Sequence, residues 1–138
     1  MNLIDNKEYE NITFGKIENN IVFFKYKPSI VIDINTAKDL VKNRMDYTAG
    51  KSVYTLIDFT NVKSVTKEAR DYMNSPEGGL KGILGGAFLS NSVVATLFVN
   101  LYLKVSTPSV PAKFFTNEKD AVGWLRKIKT TNTQISKN

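Results

Sequence analysis

Between Asp58 and Arg70 the chain gathers most of the side chains that could carry chemistry: Asp58, Asn61, Ser64, Thr66, Lys67, Glu68 and Arg70. Asp58, Ser64 or Lys67 could serve an acid–base or nucleophilic step. Thr66 opens a helical pattern, and the free N–H groups behind it could meet an anion. Each also has a plainer reading. Asp58 interrupts an apolar run near its end, where a carboxylate accepts from backbone N–H groups of the turn Thr60 to Ser64. Thr66 is a natural N-cap, with Lys67 and Glu68 as surface charges behind it. Ser90 and Asn91 form a second polar turn. The carboxylate pairs Asp58/Glu68 and Asp71/Glu77 have nothing to set them at the separation that hydrolysis needs.

Composition narrows the chemistry further. The 138 residues include no Cys and no His. That removes a disulfide framework, thiolate catalysis, the commonest general base and the usual metal ligands. The expectation is a non-catalytic protein with no cofactor and no metal site. The net charge of +6 comes almost wholly from Lys, since only Arg44, Arg70 and Arg126 are Arg. Nucleic-acid sites favour the bidentate guanidinium, and these charges are scattered, so no nucleic-acid partner is expected. MNLIDNKEYENITF has no basic leader and no apolar core of a signal peptide. The longest apolar stretch, Val93 to Val105, is too short to span a bilayer, so a soluble cytoplasmic protein is expected with no membrane partner.

The elements that must position these residues read as one domain, 1–129, with a polar, disordered tail over 130–138. Tyr9 to Tyr26 predicts a hairpin turning at Glu18-Asn19-Asn20. A short strand at Ile30 to Ile32 precedes Asp33, which caps a helix with Ala37, Leu40, Val41, Arg44 and Met45 at helical spacing, ending near Gly50. VYTLIDF, 53–59, is apolar almost throughout, as a strand covered on both faces would be. A polar turn follows, then a Thr66-capped helix ending at Asn74-Ser75-Pro76.

GGLKGILGG, 78–86, lacks the ending of a P-loop and reads as turns with close backbone approach, or as a lid over the crevice. A short strand, Ala87 to Leu89, and the cap Ser90-Asn91-Ser92 then introduce an apolar helix, Val93 to Val105. That helix suits a core, a homodimer interface or the wall of an apolar pocket. AKFFT, 112–116, is the last strand, and Asn117 caps a final helix with Ala121, Val122, Trp124, Leu125 and Ile128 inward. The fold class expected is α/β: a mixed sheet with an N-terminal β-hairpin in the order β-β-α-β-α-β-α-β-α.

That order, with LIDFTNV (56–62) leading into Lys67-Glu68-Ala69-Arg70, and later KFFT (113–116) and AVGWL (121–125), resembles the STAS-like domains. These are related to bacterial anti-sigma-factor antagonists, and the chain looks closest to small stand-alone bacterial members with no assigned function. The resemblance implies a regulatory or protein-interaction module. It also implies a departure. Signalling members carry a phosphorylated Ser at the start of the second helix, and the matching position here falls on or beside Glu68, which cannot accept phosphate. Glu68 is instead a candidate permanent stand-in for the phosphorylated form, and Thr66 or Ser64 remains a candidate acceptor.

The functional expectation is an unknown protein partner engaged through Asp58, Asn61, Ser64, Thr66, Lys67, Glu68, Arg70, Ser90 and Asn91, with self-association through Val93–Val105. The alternative is a carrier of a small apolar or anionic ligand held between the sheet and the Gly78–Gly86 segment.

Overall fold

The hairpin forms as β2 (Ile12–Glu18) and β3 (Ile21–Tyr26) in a computed structural model that describes residues 1–90 and 110–137, with side chains through Asn132. Asn20 takes the left-handed conformation that the tight turn demands, at φ 65°. The Val93–Val105 helix, its proposed dimer contact and Asn91 lie outside the described residues.

One strand was not foreseen. β1 (Ile4–Glu8) pairs antiparallel with β2, yet every one of its residues is exposed, so it has no apolar alternation to announce it. It is held by main-chain pairing, by Lys27 to Glu8 and Lys16 to Asp5 ion pairs, and by the Tyr47 hydroxyl donating to the Asp5 carbonyl at 2.8 Å.

β4 (Ile30–Ile32) leads to Asp33, whose carboxylate accepts from the Thr36 N–H at 2.8 Å and is thereby held below the usual carboxylate range. Helix α1 (Ile34–Thr48) buries Ala37, Leu40, Val41 and Arg44, and closes on Ala49 in the left-handed conformation. β5 (Val53–Asp58) lies between β3 and β7 (Ile83–Leu89), parallel to both, and β8 (Ala112–Phe115) completes the order β1-β2-β3-β5-β7-β8. The expected polar turn at Thr60 to Ser64 is in part a strand. β6 (Val62–Val65) pairs with β4 in a separate two-stranded parallel sheet, because Val62 and Val65 reach the core while Lys63 and Ser64 face out. Thr66 then caps α2 (Lys67–Met73), its hydroxyl accepting from the Ala69 N–H at 3.2 Å.

The glycine run is also partly strand: β7 begins at Ile83, not Ala87. Gly85 sits where a Cβ would come within 2.6 Å of the Ile128 methyl, so its bareness lets the last helix close on the sheet. That helix, α3 (Glu118–Lys137), starts where the Asn117 side chain accepts from the Asp120 N–H at 2.9 Å. It runs on to Lys137, into the segment 130–138 that the sequence reads as a tail. Its ladder continues, and Asn132 donates to the Tyr54 hydroxyl at 2.6 Å, a tertiary anchor that a polar composition does not reveal.

Alternate residues of β5 serve opposite cores, as the apolar run implied. Tyr54 and Leu56 pack with Ile21, Ala87, Ala121 and Leu125 beneath α3. Val53 and Ile57 join the core beneath α1 and α2, where aromatic contacts link Phe14, Phe24, Tyr26, Phe59 and Phe88 at centroid spacings of 5.7 to 6.0 Å. Among the described residues, no helix is long and apolar enough to cross a membrane. Gly123, inside α3, faces open space, so Gly123→Ala is expected to stabilise the fold. The gain is about 0.5–1 kcal/mol, seen as a rise of a few degrees in Tm by calorimetry. An unchanged midpoint would mean that α3 is not helical there in solution.

Candidate functional site

The residues between Asp58 and Arg70 do not form a catalytic constellation. Asp58 ends β5 and turns its carboxylate back to accept from the Thr60 N–H at 3.0 Å, with Lys25 3.9 Å away. The Asn61 side chain donates to the Tyr26 carbonyl at 2.9 Å, tying this turn to the end of β3. Thr66 is taken up as a cap. Ser90 is buried, at 1% exposure, and its N–H donates to the Phe115 carbonyl. The carboxyl edge of the sheet is thus largely closed by its own polar groups. Ser64, Lys67 and Glu68 remain on the surface, and Lys67 pairs with Asp71 one turn along α2 at 3.2 Å.

Arg70 departs from this pattern. It is half-buried, and it lines a cavity of about 100 Å³ between the sheet face and the layer made by α1, α2 and the glycine segment. The sheet supplies a floor that includes Phe24, Ile57 and Phe88. Leu40 and Val41 from α1, Met73 from α2 and Leu80 from the glycine segment are among its walls. The space is overwhelmingly apolar, and it lies where the sequence placed the alternative ligand site. Its glycine wall is fixed by close packing, with Gly78 and Gly79 pressed against the backbone of Tyr72 and Met73.

The sequence missed the central residue of this site. Arg44 is only 4% exposed and lines the cavity. Its Nη1 donates to the Lys81 carbonyl at 2.7 Å and its Nη2 to the Gly79 carbonyl at 3.0 Å, so it pins the glycine segment to α1. Burial pulls its pKa down to about 10, against a smaller opposing influence of the Tyr26 and Tyr72 phenols, and it stays charged at neutral pH. The signal was present: Arg44 falls on the apolar stripe of α1, a position where a charge needs a reason.

Among the described residues, no group of three or more acidic side chains is placed to hold a metal ion. No curated protein matches the chain. Among solved structures it is similar to an uncharacterized protein of the DUF3478 family with a SpoIIAA-like fold from Shewanella loihica PV-4. The two are 17% identical with a TM-score of 0.60, over 86% of this chain and 97% of that one. Identity that low shows fold alone, and the fold is the STAS-like one that the turn after β5 suggested. Residues 15–129 match the family described as "Domain of unknown function (DUF7793)", and the chain belongs to that family.

Proposed function

We propose that this domain is a non-catalytic binding module that holds a small apolar ligand in the cavity between its sheet and the α1–α2 layer. The observation that carries the reading is the cavity itself. An apolar site of roughly 150 Å³ takes a molecule of benzene size, and about 100 Å³ is of the same order. Well-packed cores leave few voids larger than a water molecule, so a space this large among side chains that could collapse onto one another favours an occupant. The side chains of the carboxyl edge, by contrast, are mostly committed to turns and caps.

A protein partner is the second reading, favoured by one observation. The short helix α2 carries Lys67 and Glu68 on the surface and Arg70 against the cavity, so ligand occupancy would be felt at an exposed face. The domain would then report ligand state to a partner.

The test is thermal denaturation of the whole chain with octanol, octanoate and octylammonium. At least one should raise Tm saturably. Gly86→Val should abolish that rise while preserving the fold, because a Cβ at Gly86 meets only ordinary contacts and the added methyls enter the cavity. No saturable shift with any probe, or an undiminished shift in Gly86→Val, overturns the reading.

A further inference from the structure

We infer that the ligand is an amphiphilic monoanion, its apolar body on the sheet face and its carboxylate met by the guanidinium of Arg70. The inference rests on the cavity reading above and adds the chemistry of the head group.

Two observations carry it. First, among the described residues the cavity is lined by two cations, Arg44 and Arg70, and by no Asp or Glu. Neither guanidinium takes part in an ion pair among the described residues. A charge placed against an apolar wall without a counter-charge is costly, and a bound anion relieves that cost. Second, the two guanidiniums are not equally engaged. Arg44 spends both terminal nitrogens on the Lys81 and Gly79 carbonyls. Arg70 has a buried Nε with no hydrogen-bond partner among the described residues. A buried donor left unpaired on a cation is unusual enough to need an acceptor, and a planar carboxylate is the acceptor that matches a guanidinium edge.

Lys67, on the same helix, shows the contrast. It stands in solvent, paired with Asp71. α2 therefore turns a satisfied cation outward and an unsatisfied one toward an apolar space. A fatty-acid-like shape fits both halves of that description, and a neutral or cationic amphiphile fits only one.

Octanoate, octanol and octylammonium share the apolar body and differ at the head, so their affinities isolate it. Calorimetric titration of the whole chain should find octanoate bound about tenfold or more tighter than octanol, with octylammonium weakest. Arg70→Gln should erase the octanoate advantage and leave octanol binding in place. Lys67→Gln, which removes a charge of the same sign from the same helix, should leave the ratio unchanged, and Arg70→Lys should keep part of it. Equal affinity for octanoate and octanol in the wild type, or a full octanoate advantage in Arg70→Gln, overturns the head-group assignment and leaves the cavity reading standing. Binding of none of the three overturns the cavity reading itself.

Discussion

Gly79→Ala is expected to cost about 3 kcal/mol or more of folding stability and to lower Tm by about 10 °C. A Cβ on Gly79 would stand 1.9 Å from the Met73 carbonyl oxygen and 2.5 Å from the carbonyl carbon and Cα. Those are backbone atoms at the end of α2, and no rotamer change moves them aside. The glycine segment would have to lift away from the helix. It would carry with it the Gly79 carbonyl that Arg44 grips, so the cavity wall would open as stability fell. Gly50→Ala is the comparator. Gly50 has φ +73° and nothing within 4 Å of a built Cβ, so its cost is the left-handed backbone alone, about 1 kcal/mol. Urea denaturation of both variants checks the contrast. A Gly79→Ala protein as stable as Gly50→Ala would mean that the segment does not rest on α2.

The elements that were legible in the sequence are those whose signal is local. The β5 run, the Asp33, Thr66 and Asn117 caps and the α3 stripe all declare themselves within a few residues, through apolar spacing or a side chain that bonds its own backbone. β1 and β6 depend on distant partners. β1 borrows its order from β2, and β6 from β4, and neither has enough apolar alternation to stand out. The glycine run misled for a related reason: glycine reads as turn, whereas at Gly85 it marks a strand that another element approaches closely.

The site was half legible. The cavity lies between the sheet and the 78–86 segment, the place that the sequence offered for an alternative ligand. Its chemistry was not legible. The polar residues between Asp58 and Thr66 look reactive in sequence because turns and caps use the same side chains as active sites. Arg44 looked like one more member of a helical stripe, and only the packing of α1 against the glycine segment gives it carbonyls to hold.

Replacing Arg44 tests that packing most directly, because two opposing terms meet in one side chain. A guanidinium pulled by burial from its ordinary value down to about 10 carries a penalty of about 3 kcal/mol at neutral pH. Against this stand two hydrogen bonds from a charged donor, together worth about 3–6 kcal/mol, plus the volume that the side chain fills. Arg44→Ala loses both bonds and the volume while recovering the penalty, so it is expected to cost about 3–5 kcal/mol. Arg44→Met restores most of the volume without the charge and should cost about half as much.

The pH dependence has a definite sign. The folded state holds this proton less tightly than the unfolded chain, so the penalty is full below about pH 10 and lifts as pH rises from there toward the ordinary guanidinium value. Wild type and Arg44→Met should therefore differ by a constant amount through neutral pH, with the wild type gaining on the variant as pH passes 10. Urea denaturation of both proteins at neutral pH and just above pH 10 measures each part. An Arg44→Met protein more stable than wild type at neutral pH would show that the burial cost outweighs the bridge. Arg44 would then hold the glycine segment in place at a net cost in stability.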